Sequence, residues 1–411
     1  MDTSIARAYE PIQLGPLRLR NRFIKSATNE GMARGDLPTR ALVEHHRRIA
    51  AGGVGMTTVA YCAISPDGKT FPDQVLLAPG SVPHLRKLTE AVHAGGAAAC
   101  AQITHGGAFN FLPQLSTRSP MSSSGGFNPP GVVIGRWFKH AMTPAELDAV
   151  AQQFVEGARL AEQAGFDAVE IHMGHGYLLS QFLSPKYNRR RDGYGGAAAQ
   201  RARYPAEVLK RVLDAVGGRL AVTCKLSVTE GVRGGATAED AAVVAQALER
   251  AGAHLLVLSG GMNVESPWAI FGSPLPQAAM ASTGNAAVRF ASKLMALWAP
   301  KISFRELYFL EHSRQVRAAV KMPLAYLGGA KSVDGIATAL GAGFDCIAMG
   351  RALLHDAALV EKFRSGALRV SGCTACNECV ASMYTPGGTR CVLTAPPGDE
   401  ALNRTPAAGN A

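Results

Sequence analysis

Short runs of consecutive apolar residues alternate along the chain with longer stretches in which apolar residues recur every three or four positions. The short runs are typical of buried parallel strands, and the longer stretches are typical of amphipathic helices. The pattern predicts strands at Arg22–Ser26, Val54–Val59, Ala97–Ile103, Ala168–His172, Leu220–Leu226, Leu255–Ser259, Pro323–Leu327 and Cys346–Met349. It predicts helices at Thr39–Ala51, Val82–His93, Pro144–Ala164, Arg201–Val216, Thr237–Arg250, Arg305–Val320 and Ser332–Leu340.

Signals at the helix ends agree with this interpretation. Thr143 precedes Pro144, as expected at a helix N-terminus, and Gly252 stands where a helix returns to a strand. Strands that alternate with helices form parallel sheets, and about eight such units make a (β/α)8 barrel. The expected fold class is therefore α/β, a single (β/α)8 TIM barrel over residues 1–365 with long loops at its active face. A short cysteine-bearing tail over residues 366–411 is expected to follow it.

Two long segments interrupt the alternation of strands and helices. Thr104–Met142 is rich in Gly, Ser and Pro, and Gly261–Ile302 contains Trp268, Phe271 and Trp298. Loops of this length at the carboxyl face of a barrel usually shape the substrate pocket, and we expect both segments to do so. The alternative is that they are surface insertions without ligand contacts.

Composition and charge narrow the class of protein. The chain has 411 residues, 47% of them hydrophobic, which is ample for a large core. It has no run of about 18 uncharged apolar residues and no basic-then-apolar start, so we expect a cytoplasmic protein without a membrane segment. The net charge is +11, but the arginines are spread along the chain and aromatic content is only 7%, which argues against nucleic-acid binding. The charge suits anionic ligands such as nucleotide phosphates, or it reflects a compositional bias.

The end of the fourth predicted strand carries the densest group of candidate catalytic residues, because its apolar run breaks into His172, His175 and Tyr177. Polar side chains at a buried strand end need partners once they lose water. Two imidazoles can donate N–H bonds to a developing oxyanion, and a phenol can deliver a proton, which suits reduction of an activated C=C bond. The pair could instead be a hydrogen-bonded core feature, or it could bind zinc, although no third ligand of suitable spacing accompanies it.

Glycines follow the seventh and eighth predicted strands, Gly328 and Gly329 in one loop and Gly350 before Arg351 in the other. Barrels often bind phosphate with the backbone N–H groups of these two loops, and Arg351 could add a forked, charged contact. Each glycine could also serve only a tight turn.

These motifs, together with the segment Gln102-Ile-Thr-His105, lie in order over about residues 10–365 and resemble the old yellow enzyme family of flavin-dependent oxidoreductases. The resemblance implies FMN in the barrel mouth, held by Ser26, Ala27, Thr28 and Asn29 beside the flavin, Gln102 at its pyrimidine edge, Lys225 beside N1 and O2, and Gly328, Gly329, Gly350 and Arg351 at the phosphate. A fixed positive charge on Lys225 favours the anionic reduced flavin. Asn29 departs from the Thr or Cys that relatives often carry against flavin O4, so we expect an altered flavin potential.

The same resemblance implies an ene-reductase, an FMN-dependent NAD(P)H oxidoreductase that acts on small enones and enals and forms a homo-oligomer. NADH or NADPH reduces FMN, and a hydride then passes from N5 to the β-carbon of an α,β-unsaturated carbonyl compound. His172 and His175 bind the carbonyl oxygen, and Tyr177 protonates the α-carbon.

The tail contains the array C-x2-C-x2-C-x11-C, formed by Cys373, Cys376, Cys379 and Cys391. Thiols at this spacing can bind a [4Fe–4S] cluster or a structural zinc ion, or they can remain unligated. The array resembles the cluster segment of the 2,4-dienoyl-CoA reductase and trimethylamine dehydrogenase branch. Those relatives usually place three residues before the third cysteine, and they carry a second flavin- and nucleotide-binding region.

Two other functions are compatible with the sequence. A flavin-dependent dehydrogenase would oxidise its substrate and pass electrons through FMN to an iron–sulfur cluster. A nonenzymatic redox-responsive binding protein would use the cysteines as a sensor, but His172, His175 and Tyr177 argue against it.

Overall fold

Eight parallel strands close into a barrel in the computed structural model, which describes residues 3–275, 300–383 and 387–394. The strands are β1 (Phe23–Lys25), β2 (Met56–Ala63), β3 (Ala98–Thr104), β4 (Ala168–Met173), β5 (Ala221–Ser227), β6 (Leu255–Ser259), β7 (Leu324–Tyr326) and β8 (Cys346–Met349). Each strand pairs with the next one along the chain, and β8 pairs with β1. The predicted α/β barrel and its strands are therefore confirmed.

Helices alternate with these strands, as the periodicity predicts. The longer ones are α1 (Arg40–Ala51), α2 (Val82–Ala94), α3 (Pro144–Gln163), α4 (Arg203–Val216), α5 (Ala238–Ala251), α6 (Leu310–Ala319), α7 (Val333–Gly341) and α8 (Leu359–Ser365). Short α-helices lie at Leu178–Leu183, Ala198–Arg201, Pro267–Phe271, Arg351–His355 and Glu378–Ser382, and 3-10 helices at Thr3–Tyr9, Pro79–Ser81 and Pro129–Ile134.

Two helix ends match their predicted signals, and one helix starts later than predicted. At the start of α3 the Thr143 hydroxyl accepts the Glu146 N–H, and the Glu146 carboxylate accepts the Thr143 N–H. Gly252 ends α5 with a φ of 97°, a left-handed conformation that glycine adopts without strain. The helix predicted to start at Arg305 starts instead at Leu310, because Leu307 has a φ of 59° and interrupts any helix there.

The barrel interior changes from apolar to polar toward the carboxyl ends of the strands. Its apolar part is a cluster that also includes the hairpin Ile12–Leu14 and Leu17–Leu19: Leu14, Leu19, Ile24, Met56, Cys100, Ala168, Ala221, Leu255, Val257, Ala325, Cys346 and Ala348. Because strand residues alternate between two faces, residues two positions apart share the interior. Along β4 the interior residues are Ala168, Glu170 and His172, so the polar side chains gather at one end of the barrel.

The long segments lie partly within and partly outside the described residues. Thr104–Met142 contains a small sheet that its Gly-rich composition did not predict, in which Phe138–Ala141 pairs with Met121–Ser122 and with Gly126–Phe127. A second small hairpin pairs Ala33–Arg34 with Leu37–Pro38. Of the segment Gly261–Ile302, residues 276–299, and with them Trp298, lie outside the described residues.

The tail begins directly after α8, which ends at Ser365. The division of the chain into a barrel domain and a separate tail remains a prediction. Among the helices that the structure describes, none has both the length and the apolar character needed to cross a membrane.

Candidate active site at the carboxyl end of the barrel

Neighbouring strands bring the predicted site residues together in register. His172 on β4 stands opposite Lys225 on β5, and Glu170 on β4 stands opposite Gln102 on β3. All four side chains are almost completely buried. The carboxyl ends of three adjacent strands therefore converge on one polar site.

His172 is a neutral imidazole whose tautomer follows from its contacts. The N–H of Gly174 donates to His172 Nδ1 at 3.2 Å. Burial, with His175 and Lys225 nearby, holds the pKa of His172 well below its ordinary value. A neutral ring that accepts at Nδ1 carries its proton on Nε2, so His172 presents one N–H donor.

His175 lies just beyond the strand in a left-handed conformation, with a φ of 60°. Its backbone N–H donates to Ser227 Oγ at 3.2 Å, and its ring Nε2 lies 2.8 Å from Ser259 Oγ. Burial and the charge of Lys225 lower the pKa of His175 to about 3, so this ring is also neutral. The contacts to two strand-end serines hold a backbone conformation that is costly for a residue other than glycine.

Tyr177 completes the group. It is the residue before the helix Leu178–Leu183, and its ring centroid lies 4.5 Å from that of His172. The rings of His172 and His175 lie 5.1 Å apart and nearly perpendicular. Tyr61 and Phe109 pack on the other sides of the phenol ring, each with its centroid 5.5 Å away. The structure thus brings the three predicted catalytic residues together within an aromatic enclosure.

The predicted flavin-edge residues form a buried hydrogen-bonded network. Lys225 Nζ donates to Ser26 Oγ at 3.1 Å and lies 3.1 Å from Glu170 Oε1. Gln102 Nε2 donates to the same carboxylate oxygen at 2.7 Å. Glu170, which sequence reasoning missed, therefore offsets part of the positive charge that was assigned to Lys225.

The segment Ser26–Asn29 leads from β1 into a cavity of about 470 Å3. Asn29, Glu30, Tyr61 and Gln74 line this cavity, together with the apolar side chains of Met32, Leu42, Phe71 and Met383. Ala27 and Thr28, which precede Asn29, are partly exposed. Asn29 Oδ1 accepts the N–H of Gly31 at 3.0 Å, which leaves its amide N–H2 to serve as a donor.

The cavity and the group of His172, His175 and Tyr177 are linked by one side chain. Tyr61 connects the two places, because it lines the cavity and its ring contacts Tyr177. Glu30, which lines the cavity, forms a buried ion pair with Lys25, and its second oxygen accepts the N–H of Ala60 at 3.3 Å.

The two glycine loops form tight turns and leave N–H groups available. Gly329 has a φ of 82°, and a Cβ on Gly328 would lie 2.6 Å from the Tyr326 hydroxyl, so the turn itself requires both glycines. Within the described residues the N–H groups of Gly329 and Gly350 donate no hydrogen bond. The loops are therefore tight turns, and the phosphate contact predicted for their N–H groups stays a prediction.

Arg351 points toward the tail. Its guanidinium donates to Phe271 O at 2.6 Å, Ser273 Oγ at 3.0 Å and Asn377 Oδ1 at 2.5 Å. The side chain thus joins the β6 loop to the cysteine-bearing tail, in addition to standing next to the Gly350 turn.

The residues present fit a flavin mononucleotide. A flavin pyrimidine ring needs donors and acceptors at one edge, and Gln102, Lys225 and Ser26 supply them at the ends of β3, β5 and β1. The unpartnered N–H groups at Gly329 and Gly350 suit a phosphate. The neutral imidazoles then stand at the same end of the barrel as the flavin-edge residues.

The cysteine segment, residues 371–383 and 387–394, lies against the same end of the barrel. Thr389 N–H donates to Glu30 O at 2.7 Å, and its hydroxyl donates to Asn29 O at 2.6 Å. Lys331 Nζ donates to Cys373 O at 3.1 Å. The segment is thus tied both to the predicted flavin-side loop and to the loop after β7.

The four thiols do not form a preformed zinc site. Tetrahedral Zn–S bonds of about 2.3 Å place sulfur ligands about 3.8 Å from one another. Among the described residues, no three cysteine sulfurs lie within 4.8 Å of one another, since the sole group that close is Glu30, His45 and His46. In that group, the Glu30 carboxylate is already paired with Lys25.

The thiols also differ in environment. Cys376 is exposed, Cys373 is partly buried, and Cys379 and Cys391 are 9% exposed. Burial raises the pKa of the Cys379 thiol to about 12, and His355 Nδ1 lies 3.4 Å from Cys391 Sγ. The four thiols therefore lie in one segment but differ in exposure and in their contacts.

Sequence reasoning missed three polar residues that the structure places in the site: Glu170, Ser227 and Ser259. Each had a signal. Glu170 lies two positions before His172 and therefore on the same strand face, and the serines are the last residues of β5 and β6. In a parallel barrel, polar residues at such strand ends face the active site.

A family model described as the NADH:flavin oxidoreductase / NADH oxidase family matches residues 7–266. A 4,4'-dithiodibutanoate disulfide reductase of Rhodococcus erythropolis is 42% identical over 393 residues, which cover 94% of this chain and 94% of that protein.

Solved structures show the same fold. An old yellow enzyme homologue from Zymomonas mobilis has a TM-score of 0.69 at 23% identity, covering 89% of this chain and 94% of that one. A 2-naphthoyl-CoA reductase has a TM-score of 0.74 at 23% identity and covers 93% of this chain, but this chain spans only 58% of that longer protein. On the family match, the Rhodococcus relative and the barrel together, the chain belongs to the NADH:flavin oxidoreductase / NADH oxidase family.

Proposed function

We propose that this family member uses FMN and NAD(P)H to reduce the C=C bond of small α,β-unsaturated carbonyl compounds. The observation that carries the proposal is the convergence of two neutral imidazoles and one phenol at the barrel mouth. The ring centroids of His172 and His175 lie 5.1 Å apart, and that of Tyr177 lies 4.5 Å from His172.

The imidazoles suit a carbonyl oxygen that gains negative charge during the reaction. His172 presents an Nε2–H, and His175 is neutral because its pKa is lowered to about 3. Neutral donors bind the carbonyl weakly in the ground state and more strongly as the enolate forms, so they favour the transition state. Removing one such donor typically costs about 100-fold or more in rate.

FMN, when bound, supplies the hydride for the β-carbon, and NAD(P)H restores it. The chain's own residues do the rest. Tyr177 holds the proton that the α-carbon receives, and Tyr61 and Phe109 pack against its ring and keep it oriented. Lys225 and Gln102 hold the pyrimidine edge, with Glu170 fixing both side chains.

The cavity of about 470 Å3 gives room for the rest of the substrate. It adjoins Tyr177 through Tyr61, and its walls mix polar groups with apolar side chains such as Met32 and Phe71. A small enone with an apolar body is compatible with such a lining.

Reduction of an organic disulfide is a second candidate, favoured by the 42% identity to the Rhodococcus disulfide reductase over 94% of both chains. Breaking an S–S bond with two electrons yields two thiols, so one sulfur receives the hydride and the other receives a proton. Tyr177 could donate that proton to the departing thiolate as it would to an α-carbon. The same residues would then serve both reactions.

Turnover of one test substrate for each reaction, followed in D2O, separates the two candidates. The reconstituted enzyme is mixed without air with NADPH or NADH and either 2-cyclohexenone or 4,4'-dithiodibutanoate, in D2O. We expect cyclohexanone that carries one deuterium at the α-carbon, because the proton from Tyr177 comes from solvent. Turnover of the disulfide alone would replace the proposal with the second candidate.

The remaining alternative is a dehydrogenase that passes electrons from substrate through FMN to a cluster. Such an enzyme would reduce neither compound with NAD(P)H, but its flavin would be reduced by an amine such as trimethylamine. For the cysteine segment we propose a [4Fe–4S] cluster. The C-x2-C-x2-C-x11-C spacing of Cys373, Cys376, Cys379 and Cys391 supports this, because closely spaced cysteines followed by a distant one are typical of cluster ligands.

A further inference from the structure

Ser259 has no role in the function proposed above, although it contacts one of the two histidines. It is the last residue of β6 and is 3% exposed. Its Oγ lies 2.8 Å from His175 Nε2. Within the described residues this ring nitrogen is the sole hydrogen-bond partner of the hydroxyl.

The burial of Ser259 decides which group donates. A serine hydroxyl has one proton, and a buried donor without an acceptor is costly. If His175 donated from Nε2, the Ser259 proton would be left without an acceptor. If Ser259 donates to Nε2, the hydroxyl proton is satisfied and the ring, being neutral, carries its own proton on Nδ1.

We infer that Ser259 is a positioning residue that holds His175 in the Nδ1–H tautomer, so that the two histidines present donors from opposite ring nitrogens. His172 accepts from the Gly174 N–H at Nδ1 and presents Nε2–H. His175 accepts from Ser259 at Nε2 and presents Nδ1–H. The inference rests on the proposed function only in assigning both donors to one substrate oxygen.

Ser227 fixes the same residue at its backbone. Its Oγ accepts the His175 N–H at 3.2 Å, and Asn263 N–H donates to His175 O at 3.2 Å. These bonds hold the left-handed turn of Gly174-His175-Gly176, in which Gly176 has a φ of 88°. Backbone and ring are therefore set by different serines, at the ends of two adjacent strands.

The tautomer is visible by NMR without any substrate. Histidine labelled with 15N at both ring nitrogens is incorporated into the FMN-loaded protein, and His175 is assigned by its absence in His175→Gln. The 15N chemical shift of a ring nitrogen differs strongly between its protonated and its unprotonated form, so the spectrum identifies the nitrogen that carries the proton. We expect a protonated Nδ1 and a bare Nε2.

Substitution tests the role of the hydroxyl. In Ser259→Ala we expect the His175 spectrum to shift toward a mixture of tautomers and kcat/KM for 2-cyclohexenone to fall about 10-fold to 100-fold, since one oxyanion donor is lost for part of the population. Ser259→Thr keeps the hydroxyl and should restore the wild-type spectrum. Ser313→Ala, which removes another buried serine hydroxyl in α6, is the matched control and should change neither quantity.

A wild-type spectrum with a protonated Nε2, or an unchanged spectrum in Ser259→Ala, would overturn the inference. Both results are independent of turnover. If the wild-type enzyme reduces neither enone nor disulfide, the proposed function fails while the spectrum still decides the role of Ser259. If Ser259→Ala does not fold, the wild-type tautomer and the Ser259→Thr variant still decide it.

Discussion

His172 and Cys376 represent two ways in which this chain holds a reactive side chain. The imidazole is 3% exposed, sits on a barrel strand and accepts a backbone hydrogen bond. The thiol is exposed and lies in a segment with two left-handed residues, Ala375 and Asn377. Strand positions therefore arrive at their geometry with the fold, whereas the cysteine segment reaches its own geometry through contacts to neighbouring loops.

The difference has a simple physical cause. Alternation along a strand and hydrogen bonds between strands fix where each side chain points. Residues 371–383 form no strand and contain the short helix Glu378–Ser382, so no ladder of hydrogen bonds between strands fixes where their thiols point. The barrel mouth is preorganised, and the cysteine segment is expected to depend on a bound metal.

The largest effect is expected from Tyr177→Phe, which removes the proton donor and keeps the ring. We expect kcat for 2-cyclohexenone to fall about 100-fold to 10,000-fold, the range of general acid catalysis. The rate at which NAD(P)H reduces the flavin, measured as the loss of the flavin's visible absorbance, should stay within a few-fold of wild type. That separation would locate the defect in protonation.

The control for Tyr177 is Tyr9→Phe. Tyr9 donates its hydroxyl to Val360 O at 2.9 Å and contacts Phe23 on the outer side of β1. Loss of activity in both variants would mean that a phenol hydroxyl matters for folding rather than for proton transfer. Such a result would mean that Tyr177 is not the proton donor of the preorganised site.

Cys391→Ser tests the second region. If the cysteine segment binds a cluster, protein purified without air should contain about four irons per chain and the variant less than about one, with FMN retained. The segment should also become more sensitive to proteolysis, because the metal no longer orders it. Iron and FMN are measured on the same sample.

Cys224→Ala is the matched control, since Cys224 is a fully buried thiol in β5 and outside the array. It should keep its metal. One zinc ion per wild-type chain would show that the cysteine segment binds zinc and not the proposed cluster. A metal-free wild type whose segment resists proteolysis would contradict the dependence on metal.

Sequence sufficed for the barrel because its strands and helices differ in the period of their apolar residues, and it located His172 at a strand end because that residue follows a largely apolar run. It failed where geometry is made between distant segments. The contact of Arg351 with Asn377 and the pairing of Glu170 with Lys225 join residues far apart in the chain. No local pattern encodes such pairs.

A smaller effect is expected from pH. Burial lowers the pKa of His175 to about 3 and that of His105 to about 4, from an ordinary value of 6.5. The unfolded chain then takes up protons before the folded one, so stability is complete above about pH 6.5 and falls as the pH falls toward 4. Each group contributes at most about 1.4 kcal/mol per pH unit.

Urea unfolding of the FMN-loaded protein between pH 8 and pH 5 measures this slope. His105→Asn should remove about one proton from the slope, because this ring, which accepts the Gly107 N–H at 3.0 Å, no longer titrates. Equal slopes in the variant and the wild type would mean that His105 is protonated in the folded state.

The smallest effect concerns the place where the two regions meet. Thr389→Val removes the 2.6 Å bond from the Thr389 hydroxyl to the carbonyl of Asn29, a residue that lines the cavity proposed to hold the substrate. One such bond contributes about 1 kcal/mol, so we expect KM for the enone to rise about 2-fold to 5-fold. The metal content and kcat should not change, because the thiols and the histidine pair are untouched.

Thr394→Val is its matched control. The Thr394 hydroxyl, in the same segment as Thr389, donates at 2.9 Å to His355 O, and neither Thr394 nor His355 lines the cavity. If only Thr389→Val raises KM, the cysteine segment acts on the barrel mouth through its contact with Asn29. Equal KM values in the two variants would separate the regions, and the cysteine segment would then have no effect on the proposed substrate site. Of the contacts that join the barrel mouth to the cysteine segment, the Thr389 hydroxyl bond is thus the one that tests whether the segment influences substrate binding.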